Sequence, residues 1–549
     1  MTRVAERGSN RTPAAMVSSS YETSEPMYPG TYVARFPDKA AVVVAGTGET
    51  LTYADLDERS RRLARVWYDF GLRPGDHVAV LAENTPRVFE AYWAALRSGL
   101  YVTPVNRHLS ASEVAYIVND CEARSLVVSA ALAPVAIAVA GETPAVGLRL
   151  AFGGEVPGHD DYEATLAGAS GEPLPSQPRG AEMLYSSGTT GRPKGVEAPP
   201  SGYQIHERYD GLTSLLKPLY NFDTDAVYLS PAPIYHAAPL KFSAAVHALG
   251  GTVVLMERFD AEAALAAIER YRVTHSQWVP TMFVRMLKLD EAVRRRYDLS
   301  SLRVAIHAAA PCPIEVKRAM IEWWGPIIYE YYAATEVIGI TFIDSTQWLA
   351  RPGSVGRAGL GTLRICNEGG EVLPAGQIGT VYFERDAPSF AYHNDLAKTA
   401  EARHPGHPSW GTTWDTGYLD HEGYLFLTGR KDFMIISGGV NIYPQEIENS
   451  LALHPGVLDV AVIGVPDDEM GESVLAVVQP APGVAATEEL AAELREFLRA
   501  RIAHYKVPRR FDFTDDLPRT PTGKMVKGKL RARYLDDPAR PVGEQSSVS

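Results

Sequence analysis

Short apolar runs alternate with amphipathic stretches of helical period through most of this 549-residue chain, and that alternation restricts the fold more than any other feature. AAVVV at 40–44 and HVAVLAE at 77–83 read as short buried strands. YADLDERSRRLARVWYDFG at 53–71 and PRVFEAYWAALRSG at 86–99 read as helices. A stretch rich in Gly and Pro, 141–180, leads into the strand AEMLYSS and a glycine-rich loop. The alternation resumes between 227 and 339 with AVYLS, GTVVLM, AEAALAAIERYRV, THSQWVP, LRVAIHAAA and PIIYEYYAATE. Strands that alternate with helices predict an α/β class. IGTVYFE and GYLFLTG, set among Gly-rich turns, predict a small β-barrel-like or meander subdomain.

Beyond Arg430 the pattern changes to a compact α+β unit with QEIENSLALHP, VLDVAVIGVPD, SVLAVVQP and the helix TEELAAELREFLRARIA. A single core stops growing at roughly 250–300 residues, so a chain of this length needs at least two domains. The expected division is a disordered extension at 1–25, a large N-terminal α/β domain at 26–431, a smaller mobile α+β domain at 432–535 and a disordered tail at 536–549. A formal charge of -13 argues against a nucleic-acid partner, which requires a dominant basic face. No apolar run approaches the ~18–20 residues of a membrane span. Cys121, Cys312 and Cys366 are too far apart for a CxxC pair, so neither a disulfide framework nor a zinc site is readable, and a reducing cytoplasm fits.

The strongest chemical signal is Tyr185-Ser186-Ser187-Gly188-Thr189-Thr190-Gly191-Arg192-Pro193-Lys194-Gly195. Glycines let backbone N–H groups approach a polyphosphate, the hydroxyls add donors, and Lys194 supplies charge. Pro193 stands where a Walker A loop needs Gly, so the common P-loop reading fails.

With this loop the sequence resembles the adenylate-forming superfamily of acyl-CoA ligases, luciferases and peptide-synthetase adenylation domains, over nearly everything from Tyr28 to Arg533. Three further motifs follow in the family's order. Tyr332-Ala333-Ala334-Thr335-Glu336 is similar to its Tyr-Gly-x-Thr-Glu, Asp415 through Arg430 to its ribose-binding segment, and Pro521-Thr522-Gly523-Lys524 to its catalytic-lysine loop. The resemblance implies ATP, Mg²⁺ and coenzyme A as the small molecules used, and a carboxylic acid as the substrate. A carboxylate attacking the α-phosphorus of ATP brings two anions together, so charge must be neutralised on both and on the departing pyrophosphate. The resemblance assigns this work to Lys524 and to Glu336 as Mg²⁺ ligand, with Thr335 donating to the α-phosphate. Asp415 and Arg430 take the ribose, though Trp414 stands where the family usually has Gly. Tyr332 supplies a ring for adenine, Ala309-Ala310-Pro311 the opposite shelf, and the backbone of Glu330 and Tyr331 reads the exocyclic amine.

The same resemblance makes His236 the gate between the carboxylate site and a thiol tunnel. Pocket walls fall on Ala237, Leu240, Trp278, Val279, Met282, His307, Ala333, Val337, Ile338 and Gly339, a mostly apolar set suited to an aromatic, alicyclic or fatty acid. Asp432 matches the family's hinge, and Gly438 and Gly439 its tunnel loop. The form Gly-Gly-x-Asn-Ile-x-Pro-x-Glu-Ile-Glu at 438–448 is most similar to the acyl-CoA ligase branch. Lys241 reads as solvated surface, with contact to a second polar group on the substrate as the alternative. Lys527 and Lys529 read as solvated surface, and Arg501, Lys506, Arg509 and Arg510 read equally as a solvated basic face or as contacts for the coenzyme A phosphates. The expected reaction is acyl-AMP formation with release of pyrophosphate, then transfer to coenzyme A. An amine or a carrier-protein thiol is the alternative acceptor.

Overall fold

The computed structural model describes residues 28–186, 193–199, 201–207, 211–430, 433–438, 440–467, 469–519 and 525–535. The fold is mixed α/β. In the largest sheet, strands Ala40–Val44, Thr252–Leu255, Val227–Ser230, His275–Trp278, Val304–His307 and Ile328–Ala333 lie side by side and parallel. Val227–Ser230, Thr252–Leu255, His275–Trp278 and Val304–His307 are buried along almost their whole length, as in a parallel sheet covered on both faces. A second sheet is built around the parallel strands Tyr101–Val105, His77–Leu81, Ala123–Ser129 and Leu148–Phe152.

Helix Pro86–Leu96 is buried on nearly every side, and its Phe89 and Trp93 belong to the core shared by the two sheets. Burying each such ring contributes on the order of 2–3 kcal/mol. Helix Tyr53–Phe70 starts with a capping box. Thr52 Oγ1 accepts from Asp55 N and Asp55 Oδ2 accepts from Thr52 N, both at 3.1 Å. It stops at Gly71, whose φ of 101° only glycine adopts without cost.

The strands predicted to form a small barrel or meander continue the largest sheet without a break. Ile340–Ile343 runs antiparallel to Ile328–Ala333, and Ser354–Leu360, Leu425–Arg430, Asp415–Leu419 and Gly379–Glu384 extend it. The last strand of this sheet along the chain ends at Arg430, and the next, Ile435–Ser437, belongs to a separate five-stranded sheet. That sheet buries Ile447, Leu451, Leu494 and Leu498 of helices Pro444–Leu451 and Glu488–Arg499 on one face and Leu530 of helix Lys527–Leu535 on the other. Lys527 is not solvated as predicted. It is 9 % exposed, and its Nζ lies 2.7 Å from Glu448 Oε1.

Candidate active site

In an open α/β sheet the crevice beyond the carboxyl ends of the strands is where ligands bind. Four of the parallel strands end at residues named in the sequence. Val227–Ser230 leads to His236, His275–Trp278 to Val279, Val304–His307 to Ala309-Ala310-Pro311, and Ile328–Ala333 to Thr335 and Glu336.

Asp415 and Arg430 face each other across antiparallel strands, with Arg430 Nε donating to Asp415 Oδ1 at 3.0 Å. Asp415 Oδ2 also accepts from Tyr332 Oη at 2.6 Å and Thr413 Oγ1 at 2.8 Å. Burial and the adjoining Asp415 charge push the Tyr332 phenol well above its usual range. The phenol therefore stays a donor, and its ring is fixed in place, stacked at 6.1 Å on Phe383. Trp414 adopts φ 64°, the left-handed region that favours glycine. Ala309, expected on the adenine shelf, has φ 74°.

The strands that flank the glycine-rich loop form a hairpin, with Ser186 opposite Lys194 and Tyr185 opposite Gly195. Residues 187–192, and with them Ser187, Gly188, Thr189, Thr190 and Gly191, lie outside the described residues. A Cβ on Gly195 would approach Met183 Cε to 2.2 Å, so a larger residue there would have to displace the end of that side chain. Lys194 Nζ sits 5.1 Å from the centroid of the Tyr392 ring, and Tyr392 Oη donates to Glu336 Oε1 at 2.7 Å. Glu336 is buried and Thr335 half-buried. The hairpin that flanks the glycine-rich loop and Glu336 are thus joined through Tyr392, which belongs to no recognisable motif and was missed.

Glu330 offers more than a backbone. Its buried carboxylate accepts from Lys317 Nζ at 2.5 Å and lies 3.5 Å from His307 Nε2. Burial, with Lys317 adding to it, holds His307 neutral far below its ordinary range. Gln277 Nε2 donates to Tyr331 Oη at 2.9 Å, and Phe242 stacks on the ring at 5.7 Å, so this tyrosine packs inward.

Trp278, Val279 and Met282 pack in one apolar cluster, Leu240 in a second and Ile338 in a third. Ala237, Ala333 and Val337 are more open. Gly339 faces the third cluster: a Cβ there would lie 1.9 Å from Phe383, which explains the glycine by packing. His236 starts helix Ala237–Ala248 and lies beside Tyr235, ring centroids 4.5 Å apart. Lys241, predicted to be solvated, lies 3.3 Å from the largely buried Glu182, which also accepts from Tyr92 Oη at 2.5 Å.

Gly438 has φ 58°, and a Cβ there would come within 2.4 Å of Met470 Cε. Lys506 pairs with Glu446 at 2.6 Å, Arg509 with Asp467 at 3.4 Å and Arg510 with Asp512. Arg501 stacks on Phe497. Asp432, Gly439 and Lys524 lie outside the described residues.

The chain matches the AMP-binding enzyme family over residues 31–392 and the AMP-binding enzyme C-terminal domain over 446–524. It is 35 % identical over 504 residues to a feruloyl-CoA synthase of Amycolatopsis sp., covering 90 % of this chain and 96 % of that one. It is 32 % identical to the fatty acid–[acyl-carrier-protein] ligase ScoC of Streptomyces coeruleorubidus, covering 90 % and 94 %. The crystal structure of ATP-bound MatB from Rhodopseudomonas palustris superimposes with a TM-score of 0.75 at 28 % identity, over 95 % of this chain and 99 % of that one.

Proposed function

The chain belongs to the AMP-binding enzyme family, and from that premise we propose an acyl-CoA ligase that activates an apolar carboxylic acid, aromatic or fatty, as its acyl-adenylate and transfers the acyl group to coenzyme A. The observation that carries the reading is the continuous polar chain from Lys194 past Tyr392 to Glu336, set beside the Tyr332–Asp415–Arg430 cluster. One end suits phosphates and the other a ribose.

Tyr332 and the Ala309–Pro311 shelf bracket the adenine. Asp415 accepts from the ribose hydroxyls in competition with its present donors. Lys194 and the hairpin hold the β- and γ-phosphates. Glu336 is a buried carboxylate that accepts from the neutral Tyr392 hydroxyl, and it fits Mg²⁺, an ion usually held by one or two carboxylates and the substrate's own phosphates. When bound there, Mg²⁺ supplies neutralisation of phosphate charge. Lys524 bridges the incoming carboxylate and the α-phosphate, so the acid oxygen forms its bond to phosphorus as the bond to pyrophosphate breaks. The thiol of coenzyme A then attacks the acyl carbon, AMP leaves, and the Gly438–Gly439 loop admits the pantetheine arm. The domains we assign are 26–431 and 432–535, the second turning about Asp432 between the two steps. Cys121, Cys312 and Cys366 are free thiols, which fits a cytoplasmic setting.

The likeness to ScoC supports a second acceptor, a carrier-protein thiol. The test is pyrophosphate release over a panel of carboxylic acids, followed by product analysis with free coenzyme A, a carrier protein or an amine as acceptor. Thioester with free coenzyme A supports the ligase. Acyl-adenylate that turns over only with one of the other acceptors overturns it.

A further inference from the structure

The loop 231–236 carries His236 from the end of strand Val227–Ser230 to the start of helix Ala237–Ala248. Pro231 and Pro233 have no N–H, and Ala232, Ile234 and Tyr235 are buried, so the remaining backbone groups of the loop cannot all turn to water. One side chain from the other sheet meets them. Asn84, just beyond strand His77–Leu81 and itself 7 % exposed, donates from Nδ2 to Ala232 O at 3.1 Å and to Met256 O at 2.8 Å. Its Oδ1 accepts from Ile234 N at 2.9 Å. Two carbonyls on one side and an N–H on the other leave only this orientation of the amide.

Asn84 therefore grips the loop at two points, four and two residues before His236, and ties both to Met256 at the end of the neighbouring strand. His236 is the N-cap of that helix with extended backbone, φ -94° and ψ 154°, so the course of the loop before it carries the ring to its place. We infer that Asn84 is a positioning residue that fixes the His236 gate through the backbone of residues 232–234. The inference rests on reading His236 as the gate. Asp in its place keeps the shape and the acceptor but turns a carboxylate oxygen toward two carbonyls. Ala removes all three bonds.

The experiment is a double-mutant cycle of Asn84→Asp and Asn84→Ala with His236→Ala, read on both half-reactions, with hydrogen exchange at 231–236 and the global unfolding midpoint measured alongside. Misplacing a reacting group by an ångström costs up to about 10²-fold. Both Asn84 variants are expected to slow thioester formation from supplied acyl-adenylate by about 10-fold to 10²-fold. The apparent KM for ATP is expected to stay within about twofold, because uniform substrate binding is untouched. Exchange at Ile234 should rise without a matching fall in the midpoint. Combining either change with His236→Ala should cost no more than the worse single variant, because both act through one ring. Losses that multiply, or half-reactions that fall in equal proportion, overturn the inference. A slow His236→Ala enzyme beside a normal Asn84→Asp enzyme overturns it alone. A normal His236→Ala enzyme beside a slow Asn84→Asp enzyme overturns the gate reading, and with it the claim that Asn84 acts through that ring.

Discussion

Glu336 is buried, and the Tyr392 hydroxyl that donates to it is uncharged. A carboxylate in such a place favours a cation, and Lys194 lies by the same Tyr392 ring. In Glu336→Gln the shape and the phenol bond are kept while the hard anionic ligand is lost. Pyrophosphate release should slow by about 10-fold to 10²-fold and recover partly at high Mg²⁺. An unchanged Mg²⁺ dependence would place the metal elsewhere. At Trp414 the backbone conformation itself is the anomaly, since a non-glycine residue with φ 64° carries about 1–2 kcal/mol of strain. Removing the ring in both Trp414→Ala and Trp414→Gly isolates that cost. The glycine variant should be the more stable of the two by about 1 kcal/mol in denaturant titration, the reverse of the order in a helix. An alanine variant at least as stable would show that the observed conformation is not strained. The sequence showed that Trp414 departs from a glycine pattern but could not give its φ. It also concealed the partners of Lys241 and Lys527, because Glu182 and Glu448 lie 59 and 79 positions away and no local pattern connects them.

Helices were the most readable elements because their signals are local. The apolar stripe and the Thr52–Asp55 box of Tyr53–Phe70 lie within one segment, as does the Asp260 cap of Ala261–Tyr271. Strand order was not readable. Ala40–Val44 pairs with Thr252–Leu255 more than 200 residues later, and nothing within either strand specifies the other. For the same reason IGTVYFE and GYLFLTG read only as a small barrel or meander within the N-terminal domain, and their place in the sheet that Ile340–Ile343 extends was not readable. Several elements also enclose neutral histidines. Burial lowers His247 to about 3 and His275 to about 4. Each folded value is below the unfolded value of about 6.5, so the unfolded chain binds the extra proton as pH falls. The stability is fully present above about pH 6.5 and is lost as pH drops toward the folded values, at up to about 1.4 kcal/mol per pH unit for each histidine. His275 Nε2 faces Tyr220 O at 2.9 Å, and a glutamine amide can replace that donor. His275→Gln should therefore flatten the acid limb of a stability–pH profile between about pH 6.5 and 4.5. An unchanged slope would show that His275 does not contribute.

At the scale of the molecule, the arrangement of the two sheet systems bears on which half-reaction this structure serves. Lys288, at the end of helix Pro280–Leu287, donates to Val457 O at 2.8 Å in the C-terminal sheet. Two residues along, Asp459 Oδ1 accepts from Arg519 Nη2 at 2.6 Å, and Arg519 bridges to Met525. The two flanks of the loop carrying Lys524 are thereby held together and fixed to the strand that Lys288 grips. On the far side of that loop, Lys529 lies close enough to Glu113 to help lower its carboxyl, after the larger effect of the Ser110 hydrogen bonds. Glu113 belongs to helix Ala111–Asp120, which meets the phosphate hairpin through Tyr116 Oη to Pro193 O at 3.2 Å and through Tyr185 Oη to Asp120 Oδ2 at 2.5 Å. These contacts bring the flanks of the lysine loop to the helix that packs on the hairpin of Lys194, and under the function proposed above that is the placement for adenylate formation. Losing the Lys288 contact should disfavour this arrangement by about 1 kcal/mol, after allowance for solvent screening of a half-exposed amine. Lys288→Ala is therefore expected to slow acyl-adenylate formation several-fold, about fivefold for 1 kcal/mol, and to spare thioester formation from supplied adenylate. Asp432→Pro should act in the opposite sense. Proline fixes φ near about -65° and restricts the residue before it, so the turn to the second arrangement is hindered while the first is kept. The measurement is the ratio of the two half-reaction rates in each variant, which should fall for one and rise for the other. A ratio that moves the same way in both would mean that the Lys288 contact and the Asp432 junction do not control opposite steps of one domain rotation.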